Sequence, residues 1–162
     1  RGALVLVVKS GSGVDPAATS WSSSDEGSTN DLVDVYIQSG RLCIAQKNND
    51  TTNVMTGNTT TLATNTPYII TVKTDGSTYS ARINGVSETL NPSPGSNDGH
   101  WYGVSTPVNL DNQMIGGLKT SAESKPFFGH IGPLLEYSRA LSAQEVRRLE
   151  TFVSVKTKIL LT

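Results

Sequence analysis

Apolar positions along the chain fall into short runs or alternate with polar ones, and turn residues separate them. The run "ALVLVV" at residues 3–8 is unbroken and rich in β-branched side chains, which predicts a central strand buried on both faces. It is too short to span a bilayer. "LVDVYIQ" (32–38) and "RLCIAQK" (41–47) flank Ser39-Gly40, the pattern of a β-hairpin. In the second of these, Leu42, Ile44 and Gln46 share one face while Cys43 and Ala45 share the other. "PYIITVKT" (67–74) and "STYSARIN" (77–84) flank Asp75-Gly76, the clearest hairpin signal in the chain. Tyr79, Ala81 and Ile83 alternate with Ser80, Arg82 and Asn84, as a half-buried strand requires. Asn84-Gly85 turns the chain again into "VSETL". "QMIGGL" (113–118) and "PFFGHIGPLLEYS" (126–138) add strands, and Pro133 predicts an edge position or a bulge in the latter.

Polar segments at residues 10–31, 48–66 and 91–103 read as long connections. The first contains Trp21, and the second holds at most short strands. Strands recurring between turn signals predict an all-β antiparallel sandwich or barrel. No repeat or linker divides the 162 residues, so one domain from 1 to 162 is expected, long enough to bury its own core.

One segment breaks the two-residue period. "LSAQEVRRLETFV" (141–153) opens with Ser142 and places Glu145 three residues later, a capping box that satisfies two backbone donors at a helix start. Leu141 before the cap and Val146 at the fourth helical position form a hydrophobic staple. Val146, Leu149 and Val153 share a face with Phe152 beside it, and Arg147, Arg148 and Glu150 are expected to point elsewhere. A single narrow stripe of this kind predicts a short helix covering one edge or end of the sandwich.

Composition supports the β reading. Hydrophobic residues make up 36% and charged residues 17%, with Ser, Thr, Asn and Gly supplying much of the rest, a mix poorly suited to a helical bundle. Net charge is −1 and the basic residues do not cluster apart from Arg147-Arg148, so neither a nucleic-acid footprint nor membrane insertion is indicated. The one cysteine, Cys43, allows no internal disulfide and reads as a small packed residue. The chain starts with Arg1, without a signal-peptide pattern, which is expected of a processed or excised piece of a longer protein.

The segment from "IGGL" through "FFGHIGPLLEYSRALSAQEVRRLETFVSVKTKI" resembles the closing part of concanavalin A-like, laminin G-like jelly-roll domains. The matching residues are Gly129, Ile131, Gly132, Leu135, Tyr137, Arg139, Ala140, Leu141, Ser142 and Glu145. Thr157 departs from the pattern, standing where an aromatic is usual. The hairpin at residues 67–86 is similar to another family element through Asp75, Gly76, Asn84, Gly85 and Val86, and the opening strand resembles the family's first. The resemblance implies a two-sheet antiparallel jelly-roll sandwich with one short C-terminal helix. It says little about function, because lectins, glycanases, adhesion modules and viral structural proteins share this scaffold.

Glycoside hydrolysis ordinarily needs two carboxylates. The Glu-x-Asp-x-x-Glu strand of the superfamily's laminarinase-like hydrolases does not occur here. Asp31 and Asp34 form the nearest acidic pair on a strand, and Asp25-Glu26 reads as a solvated turn. Neither histidine, His100 nor His130, sits in a zinc-ligand pattern. No phosphate-binding glycine loop or nucleophile elbow occurs. The resemblance raises calcium, since lectin-like sandwiches bind it through Asp and Asn oxygens. Candidate donors are Asn30 and Asp31, Asn48 to Asp50, Asn97 and Asp98, and Asp111 and Asn112. None forms an EF-hand pattern, and each reads first as turn chemistry, so no cofactor is expected.

Sugar binding without catalysis uses aromatic faces and polar side chains. "NDGHWYG" (97–103) gathers Asp98, His100, Trp101 and Tyr102, and Trp21 is the other aromatic candidate. The expectation is a non-enzymatic interaction module: a structural, decoration or adhesion domain of a phage virion or bacterial surface protein, outside the cell or on a virion. Its partners would be other subunits of that assembly or a cell-surface glycan. The alternatives are a carbohydrate-active enzyme or its accessory carbohydrate-binding module, and a purely architectural domain.

Overall fold

A computed structural model of the chain describes residues 1–11, 17–48, 51–99 and 110–162. The strands are β1 (Gly2–Ser10), β2 (Ala18–Ser24), β3 (Leu32–Gln38), β4 (Arg41–Asn48), β5 (Thr51–Gly57), β6 (Pro67–Thr74) and β7 (Tyr79–Ile83). They continue with β8 (Val86–Glu88), β9 (Leu90–Pro92), β10 (Asn112–Ile115), β11 (Leu118–Lys119), β12 (Glu123–Ser124) and β13 (Gly129–Tyr137), before the helix α1 (Ala143–Thr157). A five-stranded sheet in the order β13-β1-β6-β7-β8 faces a six-stranded sheet in the order β10-β2-β3-β4-β5-β9, and β11 and β12 form a small ribbon. All pairings are antiparallel.

Period-two alternation builds the core. Leu4, Leu6 and Val8 of β1, with Ile70, Val72, Ala81 and Ile83, meet Val33, Val35, Ile37, Leu42, Ile44 and Met55 from the opposite sheet. The hairpin turns have the expected chemistry: Ser39-Gly40 and Asn84-Gly85 adopt positive φ at both positions, the conformation that matches the twist of a two-residue hairpin. β13 is an edge strand, and its Gly132 and Pro133 together stand opposite the single residue Val7. Pro133 therefore occupies both an edge and a bulge, where its missing N–H costs no ladder bond.

The helix covers a sheet face, not an edge. β1 is apolar on both sides, and its outward residues Ala3, Val5 and Val7, with Ile69 of β6, need cover. Val146, Leu149 and Val153 supply it, joined by the tail residues Ile159 and Leu161. The capping box forms: Ser142 Oγ accepts from the Glu145 N–H, and Glu145 accepts from the Ser142 N–H at 2.8 Å. Leu141 and Val146 pack together as the staple, while Phe152 is 56% exposed.

Two more expectations need correction. Glu150 does not point away from the sheet: it is fully buried beneath α1, where Thr71 Oγ1 donates to it at 2.9 Å and Arg82 Nε at 2.9 and 3.2 Å. Helical periodicity marks positions, and a buried polar partner overrides polarity as a guide to facing. The connection expected over residues 10–31 contains β2, whose serines carry no apolar pattern because Ser22 and Ser24 donate to the carbonyls of Gly117 and Lys119. The segment "VSETL" crosses between the sheets: β8 pairs with β7 in one, β9 with β5 in the other. At this crossing Glu88 accepts from the N–H groups of Thr59 and Thr60 and ties the sheets together.

Candidate functional site

The base of the polar stretch at residues 97–103 is firmly held. Asn97 Oδ1 accepts from the Tyr79 N–H at 2.6 Å, and its amide donates to the Tyr79 carbonyl at 2.9 Å. The two Asp98 oxygens accept from Gln46 Nε2 and Asn53 Nδ2, each at 2.9 Å. Both carboxylate oxygens thus tie the loop to β4 and β5. His100, Trp101 and Tyr102 lie outside the described residues. Trp21 is 1% exposed within the sandwich core, so its ring offers no face to a ligand. Placing β2 in the sheet turns this aromatic inward.

The other acidic and histidine positions behave as turn or edge residues. Asp25 accepts from the Gly27 N–H and the Ser28 hydroxyl, and Asp111 accepts from the Glu26 N–H. His130 lies exposed on the edge strand opposite Lys9. Among the described residues, no three His, Cys, Asp or Glu side chains cluster as a metal site would need.

The outer face of the six-stranded sheet is chemically richer. Asp34, Tyr36 and Cys43 alternate outward from β3 and β4, and all are buried. Lys125 reaches over them from the segment before β13. Its Nζ lies 2.7 Å from Asp34 Oδ2 and 4.4 Å from the Tyr36 ring centre. This ammonium is held by a carboxylate and a π face together. Burial pushes the Asp34 carboxyl above its ordinary range, against the downward pull of Lys125. Burial also raises the Tyr36 phenol and the Cys43 thiol. A thiol held protonated is a poor nucleophile, which agrees with a packing role for Cys43.

Beside this cluster opens a cleft of about 300 Å³ lined by Ala17, Gln38, Lys125, Pro126 and Phe128. Phe128 is 54% exposed. Gln38, the last residue of β3, is also exposed. An aromatic ring, an aliphatic rim and an amide side chain therefore meet at one concave surface. Sequence reasoning missed it. Phe128 and Pro126 read as part of a strand, and nothing in their spacing from Gln38 signals proximity.

No family model and no curated protein matches the sequence. Solved structures do match. The CBM40 domain of the Ruminococcus gnavus IT-sialidase bound to α2,3 sialyllactose superposes with a TM-score of 0.75 at 19% identity, over 92% of this chain and 81% of that one. Domain 4 of a GH43 extracellular arabinanase from Geobacillus stearothermophilus, in complex with arabinotriose, gives 0.66 at 18% identity, over 93% and 66%. A heptameric SAP-like pentraxin from Limulus polyphemus gives 0.60 at 11% identity, over 92% and 69%. These likenesses show the fold: an antiparallel two-sheet jelly-roll sandwich with one short helix.

Proposed function

We propose that this domain is a carbohydrate-binding module that holds a glycan in the cleft beside Phe128. The observation that carries the reading is the exposed Phe128 ring facing a concave surface with Gln38 and Lys125 at its rim. A sugar ring can stack on the aromatic face while the amide bonds its hydroxyls. The fold is shared with modules whose structures hold sialyllactose and arabinotriose, which supports the glycan class. No carboxylate lines the cleft among the described residues, so those residues supply neither the acid nor the base of the two-carboxylate route to hydrolysis. That favours binding over catalysis.

The ligand at this cleft is a neutral sugar. Asp34 already balances the Lys125 charge, and residues 12–16, 49–50 and 100–109 contain no Lys or Arg. A sugar carboxylate would find no unmatched cation among the described lining residues. The stretch from Asn97 to Gly103 is a second candidate contact, because Asn97 and Asp98 fasten its base and His100, Trp101 and Tyr102 follow directly. Display on a virion or bacterial surface, where many weak contacts combine, suits such a module.

Calorimetric titration with neutral arabino- and gluco-oligosaccharides tests the reading. Phe128→Ala and Gln38→Ala should each weaken binding about tenfold, the effect of ~1.4 kcal/mol, with melting unchanged. The pair Trp101→Ala and Tyr102→Ala tests the loop in the same titration. Binding that survives Phe128→Ala removes the cleft from the site, and no binding to any neutral or sialylated glycan ends the proposal.

A further inference from the structure

The outer face of the five-stranded sheet carries a second concave surface, on the opposite side of the sandwich from the Phe128 cleft. Lys73 of β6, Ser80 and Arg82 of β7, Ser87 and Glu88 of β8, and Arg147 of α1 line a groove of about 240 Å³. It continues into a depression that shares Lys73 and Ser80 and runs on to Asp75 and Thr78. Three cations from three elements thus converge, in a protein whose net charge is −1.

Arg82 is balanced by Glu150, so Lys73 and Arg147 are the groove's cations without a carboxylate partner among the described residues. Glu150 is buried and accepts from Arg82 Nε and Thr71 Oγ1. Glu88 lines the groove, is buried, and accepts from the Thr59 and Thr60 N–H groups. Asp75, at the far end, accepts from Ser77 and Thr78 in its own turn. Among the described residues Lys73 Nζ donates to the Leu141 carbonyl alone, at a long 3.4 Å. Arg147 reaches no carboxylate among the described residues. Two unmatched cations on the walls of one groove raise the local potential and concentrate counter-ions. Guanidinium and ammonium groups beside serine hydroxyls supply the donors an oxyanion needs.

We propose that this groove binds the sulfate or carboxylate groups of an acidic polysaccharide. The groove's continuity past Lys73 gives room for an extended chain rather than a single small anion. This site does not rest on the Phe128 cleft, and its failure would leave that reading untouched.

The experiment is titration of the whole chain at low salt with three probes: heparin oligosaccharides for sulfate, oligogalacturonate for carboxylate alone, and neutral dextran. Acidic probes should bind, dextran should not, and added sodium chloride should weaken the binding by screening. Which acidic probe binds more tightly assigns the group. Lys73→Gln with Arg147→Gln should reduce affinity at least tenfold with an unchanged melting temperature. Arg82 is left in place because it holds Glu150. Arg147→Glu alone, at an exposed helix position, gives the same loss should the double variant be unstable. Phe128→Ala should change nothing. The proposal is overturned if neither acidic probe binds. It is equally overturned if Arg148→Gln, on the same helix but outside the groove, costs as much as Arg147→Gln, since that would be attraction to charge in general.

Discussion

At the scale of single residues, carboxylates do most of the specific work, and each does it differently. Glu150 is buried with Arg82 and Thr71 as partners, so it fixes where α1 sits at the expense of desolvating a charge. Asp34 is buried beneath Lys125, and its raised carboxyl shows that desolvation outweighs the pair. Glu145 is half-buried and closes the helix cap. Arg139, then the Ser142 N–H and hydroxyl, hold its carboxyl down at about 2. Because this folded-state value is depressed, the stability it confers is present above the ordinary glutamate range near ~4.3. It is lost as pH falls through about 2. The melting temperature should therefore drop between pH 5 and 2, and Glu145→Gln should flatten that drop. Equal slopes for both proteins would show that the cap does not contribute.

At the scale of the element, α1 is explained by β1. A strand apolar on both faces cannot face water on one of them, and the helix stripe is what covers it. Leu149 contacts both outer clusters, the one around Val5 and Ile69 and the one around Ala3 and Leu141. Leu149→Asp places a charge against apolar surface. Even at a half-buried position the loss should reach the lower end of the range for core leucine truncations, about 2 kcal/mol, read from the urea midpoint. A midpoint within error of the parent would mean that the stripe does not hold the helix to the sheet. Phe152, on the same helix but 56% exposed, serves as the control position.

At the scale of the whole molecule, the sandwich presents two chemically distinct outer faces. One bears the aromatic cleft with its internally balanced Lys125–Asp34 pair, the other the groove edged by Lys73, Arg82 and Arg147. Binding on opposite faces involves no shared residue, so effects at the two should be independent. Saturation with a neutral oligosaccharide should leave the affinity for an acidic one unchanged, and the reverse. Mutual displacement in a competition titration would place both ligands on one face.

The sequence alone determined the elements whose signals are local. Ser39-Gly40 and Asn84-Gly85 set two-residue hairpins because turn geometry demands those residues, and Asp75-Gly76 opens a longer connection over residues 75–78. Ser142 and Glu145 set the helix start because its orphan N–H groups need acceptors within three residues. The two-sided apolar run of β1 required cover, strands in series predicted a sandwich or barrel, and the jelly-roll class came with the resemblance to laminin G-like domains. Tertiary structure decided whatever depends on partners far apart in the chain. β2 is a strand because its serines reach the carbonyls of residues 117 and 119, contacts that leave no apolar period. Glu150 turns inward because Arg82 waits there, 68 residues away. Trp21 goes to the core, while Gln38 and Phe128 meet at a cleft that no spacing announces. Local rules reach only a few residues along the chain, and a binding surface is made where distant segments converge.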